Sequence, residues 1–163
     1  MLCLAVFLPI AFGLLMLAVQ PKTRAQREWA VGSVTVVTSL IVLFCLKQQK
    51  AEPAIAFMLM QDMPIAFVID GLGGVFAALV AFLWPLATLY GFEYMEHEGG
   101  ENHFFALYTI TYGVTLGIST AANIMTMYIF YEFLTLATLP LVMHGTSREA
   151  VKAGHQYMMY SFI

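Results

Sequence analysis

Long apolar segments alternate with short polar segments along the whole chain. The pattern predicts helices at residues 2–20, 29–46, 70–92, 104–122, 123–143 and 149–163. A helix that crosses the hydrocarbon core of a membrane needs about 20 predominantly apolar residues. We therefore expect five full transmembrane helices, followed by the start of a sixth whose clearly apolar part is too short to span.

The fourth and fifth helices are predicted from one continuous apolar stretch. Residues 104–143 carry a single charged side chain, that of Glu132. The stretch is too long for one membrane span and long enough for two. Asn123 is the natural turn between them, because Asn favours turns and helix starts over helix interiors.

The connection before the third helix contains two prolines, Pro53 and Pro64. Apolar residues alternate at positions 65, 67 and 69, a pattern that is compatible with a short strand in a hairpin. Asp70 then opens the third helix. Its carboxylate can accept hydrogen bonds from the free backbone N–H groups of a first turn, so we interpret Asp70 as a structural cap.

Composition supports a membrane protein. Hydrophobic residues make up 61% of the 163, charged residues make up 10%, and the mean hydropathy is +0.81. A soluble domain is about half apolar and a quarter charged. The prediction is an all-α, polytopic membrane helix bundle that forms a single domain over residues 1–163 and is covered by the lipid bilayer.

The charged residues and cysteines exclude several classes of function. The net charge is −3 and the seven Lys and Arg residues are dispersed, so we expect no nucleic-acid partner. Cys3 and Cys45 lie in apolar runs without metal-ligand spacing, and we predict neither a metal site nor a cofactor. No nucleophile with its base and no phosphate-binding loop is present, which argues against a membrane enzyme with its own chemistry.

The distribution of Lys and Arg predicts the orientation. One side of the membrane holds five of them and the other side holds two, and the richer side is expected to be cytoplasmic. The five are Lys22, Arg24, Arg27, Arg148 and Lys152, and the two are Lys47 and Lys50. This places the N-terminus outside, in a multi-pass protein of the cell (inner) membrane.

Glu132 is the residue that indicates chemistry. It lies near the middle of the fifth predicted helix, where a carboxylate costs a few kcal/mol and is a functional hypothesis by default. Removal from water disfavours the charged form, so this group can exchange a proton near neutral pH. The alternative is a permanently neutral glutamate that is hydrogen-bonded to a neighbouring helix.

Further polar residues are candidates for a path beside Glu132. Thr111, Thr115 and Ser119 share one face of the fourth helix and are candidate lining residues, although such hydroxyls often bond to their own preceding turn. His144 and His155 flank the connection after the fifth helix. They are candidate relay residues between Glu132 and the inner surface, or else ordinary interfacial histidines.

Two segments resemble a known family. The sequence Phe67-Val-Ile-Asp70-Gly-Leu is similar to the entry to the third helix in antiporter-like membrane subunits. The segment from Asn123 to Val142, with Tyr-Glu132-Phe-Leu-Thr-Leu-Ala-Thr-Leu-Pro, is similar to the fifth helix of that family. The family comprises proton-translocating subunits of complex I, Mrp-type cation/proton antiporter subunits and membrane-bound hydrogenase subunits.

The resemblance implies a proton or cation/proton translocating subunit of a multi-subunit membrane complex. In that family the glutamate matched by Glu132 pairs with a lysine of the seventh helix, and the pairing is thought to drive proton transfer. The chain would have no redox chemistry of its own, as in an NADH-quinone oxidoreductase-like translocase. The alternative is a non-conducting structural or assembly subunit of such a complex.

The sequence departs from the family because it ends inside the sixth helix. The lysine of the seventh helix is therefore absent, and no Lys or Arg within an apolar span replaces it. We expect either the N-terminal third of a longer subunit or a split subunit whose partner supplies the rest. Ion transport by these helices alone is not expected.

Overall fold

The computed structural model describes residues 1–48, 52–60, 63–97, 99–142, 152, 156 and 159–160. Within these residues, helices and one hairpin follow each other along the chain. They are α1 (Leu2–Ala18), α2 (Arg24–Gln48), β1 (Ala54–Met60), β2 (Met63–Phe67), α3 (Gly71–Tyr94), α4 (Glu101–Ser119) and α5 (Ile124–Val142). A 3₁₀ turn, Met95–His97, follows α3. Most of the predicted sixth helix, residues 149–163, lies outside the described residues.

A small antiparallel sheet corrects the all-α prediction. Strands β1 and β2 form a hairpin, in the region where the sequence alternation was compatible with a strand. The connection between α4 and α5 extends this sheet, because the Val68 N–H donates to the Thr120 carbonyl at 2.7 Å and the Ala122 N–H donates to the Ala66 carbonyl at 2.9 Å. The hairpin is thereby tied to the ends of two helices.

The side chain of Phe67 anchors the hairpin in the helical core. Its ring is fully buried and meets Phe7 of α1 at a centroid distance of 6.0 Å and Phe130 of α5 at 5.4 Å. Both contacts have the edge-to-face geometry that aromatic pairs prefer. One end of the bundle is therefore closed by an aromatic cluster drawn from a strand and two helices.

Glycines allow α1 and α4 to pack closely. A Cβ atom on Gly13 would lie 2.6 Å from the carbonyl oxygen of Ala106, and one on Gly113 would lie 2.5 Å from that of Val6. Neither position can accept a larger residue without movement of a backbone. Small residues at a helix–helix contact are the usual means of close approach in membranes, where packing replaces the hydrophobic effect.

Helices α2 and α4 begin earlier than predicted. The sequence suggested starts at Trp29 and Phe104, whereas the helices begin at Arg24 and Glu101. The charged residues at both helix starts suggested loops. In the fold, Arg24 and Arg27 of α2 form ion pairs with Glu96 and Glu101, which lie in the 3₁₀ turn after α3 and at the start of α4. Trp29, predicted at a helix edge, lies inside α2 and is 80% exposed.

Among the described residues, three helices are long and apolar enough to cross a membrane, namely Arg24–Gln48, Gly71–Tyr94 and Ile124–Leu141. Helix α1 is apolar but shorter. Helix α4 is the most enclosed helix, with ten buried residues and contacts to α1, α3 and α5. Three of its hydroxyl-bearing residues, Thr109, Thr111 and Tyr112, are buried.

Candidate functional site

Glu132 lies near the middle of α5, on the side away from the core. Phe130 packs into the core against Phe67 and Gly117. Because successive helical residues are rotated by about 100°, Glu132 points roughly opposite to Phe130. The Glu132 side chain is half-buried, and among the described residues no hydrogen bond or ion pair reaches its carboxylate. Its neighbours one turn away, Tyr128 and Leu136, are exposed.

The three predicted lining hydroxyls bond to their own helix. Thr111 donates to the Tyr108 carbonyl at 2.8 Å, Thr115 to the Thr111 carbonyl at 2.7 Å and Ser119 to the Leu116 carbonyl at 2.9 Å. None of them bonds to Glu132 within the part of the chain that the structure describes. Each hydroxyl oxygen still has acceptor capacity after donating its proton.

Thr115 and Ser119 line a groove between α3 and α4. We call it the α3–α4 groove; its volume is about 430 Å³ and its wall also includes Asp70, Phe76 and Val80. Thr111, in contrast, is buried at 3% exposure and is not part of this wall. The structure therefore brings two of the candidate lining residues together with Asp70.

Asp70 occupies the N-cap position of α3. Its backbone is extended, and its Oδ1 atom accepts a hydrogen bond from the Gly73 N–H at 2.6 Å. Asn123 has the corresponding role in α5, where its Oδ1 accepts from the Thr126 N–H at 2.7 Å while its Nδ2 donates to the Pro64 carbonyl at 2.8 Å. Both side chains set where a helix begins.

The two candidate relay residues, His144 and His155, lie outside the described residues. Within the described ranges, no group of three or more His, Cys, Asp and Glu side chains is arranged to hold a metal ion. Cys3 and Cys45 are free thiols there.

Sequence reasoning missed a buried arginine cluster. Arg27 is 7% exposed, forms an ion pair with Glu101 and donates to Asn102 Oδ1 at 3.1 Å. Asn102 in turn donates to the Pro21 carbonyl at 3.2 Å, and the guanidinium lies 5.8 Å from the ring centre of Phe105. The available signal was periodicity, because Arg27 continues the buried stripe of α2.

A second cluster, the tyrosine cluster, lies where α2, α3 and α4 meet. It consists of Ser39, Trp84, Tyr108 and Tyr112. The hydroxyls of Ser39 and Tyr112 are 2.7 Å apart, and the Trp84 ring stacks on Tyr112 at 5.1 Å with a 14° angle between the planes. Tyr108 donates to the Trp84 carbonyl at 3.3 Å. The sequence pattern gave no signal for the partners of these tyrosines on α2 and α3.

The fold and the mid-helix glutamate define the class as a polytopic helical membrane protein with an ionisable group in an apolar helix. Comparison with known proteins shows what the chain is similar to. Residues 57–105 match the family model described as NADH-ubiquinone oxidoreductase (complex I), chain 5 N-terminus. The match covers less than half of the chain and ends before Glu132.

Curated relatives match over almost the whole chain. The Na(+)/H(+) antiporter subunit A1 of Staphylococcus aureus is 25% identical over 161 residues, which are 96% of this chain and 20% of the relative. The chloroplastic NAD(P)H-quinone oxidoreductase subunit 5 of Lemna minor is 27% identical over 96% of this chain and 22% of its own length. The chain thus spans about a fifth of the length of these relatives.

Two solved structures share the fold. A chain of the membrane-bound sulfane sulfur reductase, an archaeal respiratory membrane complex, superposes with a TM-score of 0.83 at 17% identity, over 97% of this chain and 33% of that one. A chain of respiratory complex I from Thermus thermophilus gives 0.77 at 24% identity, over 98% and 32%. The predicted resemblance is confirmed: the chain is similar in sequence to Na(+)/H(+) antiporter subunit A1 and NAD(P)H-quinone oxidoreductase subunit 5 proteins, and similar in fold to these two respiratory membrane chains.

Proposed function

We propose that this chain is part of a proton or cation/proton translocating antiporter-like subunit, and that Glu132 takes up and releases the proton. The observation that carries the proposal is the carboxylate near the middle of an apolar helix, without a hydrogen-bond or ion-pair partner among the described residues. An ionisable group at such a depth is expensive and is usually retained for function.

Glu132 needs an opposite charge to cycle between its two states. A cation that approaches within a few Å favours the carboxylate, and its withdrawal favours the neutral acid. Both arginines of the described residues already form ion pairs: Arg24 pairs with Glu28 and Glu96, and Arg27 pairs with Glu101. In this proposal the partner is a lysine on a seventh helix, from a longer polypeptide or from another subunit.

The proposed setting is the cell (inner) membrane, with the N-terminus outside. Five helices, α1 to α5, would span the bilayer and a sixth would begin after residue 149. Helix α1 is apolar but shorter than a typical span, whereas α4 is shielded by its neighbours and can cross without being uniformly apolar. Other membrane subunits of the same complex are the proposed partners, as the names of the relatives suggest.

Substituting Glu132 by glutamine in the assembled complex tests the proposal. The change removes the titratable proton and keeps the shape, so proton or cation transport into sealed vesicles should fall several-fold or more. Glu93→Gln is the matched control, because Glu93 is exposed at the end of α3 and its neutralisation should leave transport unchanged.

The amount of assembled complex must be measured beside transport. Full assembly together with unchanged transport in the Glu132→Gln variant would refute the proposal. Reduced assembly, with normal transport per assembled complex, would instead indicate the structural role in which Glu132 is a neutral hydrogen-bonding group.

A further inference from the structure

A second groove lies between α2 and α3 on the outer surface of the bundle. We call it the α2–α3 groove; its volume is about 540 Å³, and its wall consists of Glu28, Trp29, Gly32, Ser33, Val36, Leu89 and Phe92. From Glu28 to Val36 the wall rises by about 12 Å along α2. Val36 and Leu89 are exposed, so the groove opens sideways, away from the other helices.

Gly32 gives the groove its depth. A Cβ at this position would meet only the ring of Phe92, with its nearest atoms at 3.9 and 4.0 Å. At Gly113, in contrast, a Cβ would lie 2.5 Å from a backbone oxygen of α1. The floor of the α2–α3 groove is therefore open space, whereas the seam between α1 and α4 is closely packed.

One end of the groove is charged. Glu28 Oε1 accepts from Arg24 Nε at 2.5 Å, and Arg24 Nη1 pairs with Glu96 in the turn after α3. Within the described part of the chain, no hydrogen bond or ion pair engages Glu28 Oε2 or Arg24 Nη2. The three side chains are partly exposed. The charged end thus offers a free acceptor near a free donor, with two carboxylates to one guanidinium.

Trp29 indicates the depth of this end in the membrane. It follows Glu28 and is 80% exposed. Exposed tryptophans of membrane proteins are enriched at the level of the lipid headgroups. The charged end of the groove therefore lies at headgroup level, and the apolar part beyond Gly32 extends into the hydrocarbon.

We propose that the α2–α3 groove binds one phosphatidylethanolamine molecule. Its ammonium group donates to Glu28 Oε2, its phosphate accepts from Arg24 Nη2, and one acyl chain lies between Val36 and Leu89. Charge-assisted hydrogen bonds of this kind are about twice as strong as neutral ones. The ligand and the groove match in sequence along the membrane normal, because each has a zwitterionic end followed directly by an apolar stretch.

The headgroup determines which lipid binds. An acyl chain that enters the groove leaves one apolar environment for another, so it gives little preference among lipids. Phosphatidylglycerol has no ammonium, and its phosphate would face the excess carboxylate of Glu28 and Glu96. Phosphatidylcholine has a quaternary ammonium without an N–H donor. Phosphatidylethanolamine alone of the three supplies both a cationic donor and a phosphate.

Photo-crosslinking of the purified membrane assembly in phosphatidylcholine vesicles tests the proposal. The probes are a phosphatidylethanolamine and a phosphatidylglycerol with the same diazirine-labelled acyl chain, each added at a low fraction. Mass spectrometry compares adducts at Leu89, in the groove, with adducts at Phe82, which is equally exposed on α3 but outside the wall. The Leu89 to Phe82 ratio should be several-fold higher with the phosphatidylethanolamine probe. Equal ratios for the two probes would overturn the proposal.

A substitution at the charged end tests the role of the headgroup. Glu28→Gln removes the negative charge and should lower the adduct ratio of the phosphatidylethanolamine probe to that of phosphatidylglycerol. Glu93→Gln is the matched control, because Glu93 is exposed near the same end of α3 but is not part of the wall. An unchanged preference in Glu28→Gln would overturn the proposal.

A substitution in the floor tests the role of the groove. Gly32→Leu fills the open space and should lower the phosphatidylethanolamine adducts at Leu89 several-fold, relative to those at Phe82. Gly71→Leu is the control, since a Cβ on Gly71 meets no atom within 4 Å and Gly71 lies outside this groove. Adducts that are unaffected by Gly32→Leu would contradict binding in the groove.

A density map of the unsubstituted assembly does not depend on any variant folding. The expected result is elongated density between Val36 and Leu89, ending in a headgroup about 3 Å from the Glu28 carboxylate. A helix of another subunit in the groove, or a groove without a headgroup at Glu28, would overturn the proposal.

Discussion

Replacing Gly113 by alanine would force helices α1 and α4 apart. The new Cβ would lie 2.5 Å from the Val6 carbonyl oxygen, 2.7 Å from Ile10 Cγ1 and 2.9 Å from Pro9 Cγ. A carbon normally approaches a carbonyl oxygen to about 3.3 Å, so the backbones must separate by about 0.8 Å. The oxygen belongs to the backbone of α1, and no side-chain rotation can relieve the contact.

Two opposing terms determine the magnitude. Alanine is favoured over glycine by about 1 kcal/mol in a helix interior, whereas overpacking of a core costs about 1–3 kcal/mol. Because three atoms lie closer than 3.0 Å, the upper part of the second range applies. We expect a net loss of about 1–2 kcal/mol in the free energy of unfolding. A loss of about 1.4 kcal/mol is a tenfold larger unfolding constant.

The assay is unfolding of the full polypeptide in mixed detergent micelles, with Gly71→Ala as the matched control. A Cβ on Gly71 meets no atom within 4 Å, so that variant should be as stable as the unsubstituted protein or slightly more stable. If Gly113→Ala unfolded at the same midpoint as Gly71→Ala, the inference that α1 and α4 pack too closely to admit a Cβ at position 113 would be refuted.

Three further substitutions test the polar clusters and the cap. Arg27→Ala should lower the free energy of unfolding by about 1.5–3 kcal/mol in the same assay, because it removes buried hydrogen bonds to charged and polar partners. Arg24 is exposed, and Arg24→Ala should cost at most about 1 kcal/mol. Equal losses in the two variants would contradict this prediction. Ser39→Ala should cost about 0.6 kcal/mol through its bond to Tyr112, and Ser33→Ala less, which thermal midpoints can compare. Asp70→Ala should cost about 1 kcal/mol and Asp70→Asn much less, since asparagine also caps; a loss of transport in the asparagine variant would argue against a purely structural cap.

The positions of most helices could be predicted because lipid permits few solutions. A chain that crosses a bilayer must satisfy its backbone hydrogen bonds within each span, so long apolar runs become helices. The start of α5 after Asn123 and the start of α3 after Asp70 could also be predicted from neighbouring residues alone. Each depends on a side chain that accepts a hydrogen bond from a backbone N–H in the first turn of its own helix. These features need no knowledge of distant residues.

The remaining features depend on residues far apart in the chain. Arg27 was read as a loop cation because its partner, Glu101, lies in another helix. The packing role of Gly113 depends on the backbone of α1, and the hydrophobic pattern contains no sign of it. Glu132 could be singled out as the lone charge of an apolar run, but the run itself gives no signal for which groups surround the carboxylate.

The contacts of α1 have a consequence for biogenesis. This helix is made before its close partner α4 and before its aromatic partners Phe67 and Phe130. During synthesis the glycine face of α1 therefore stays uncovered until α4 has been made. The packing of α1 is complete only when the chain has been made as far as α5.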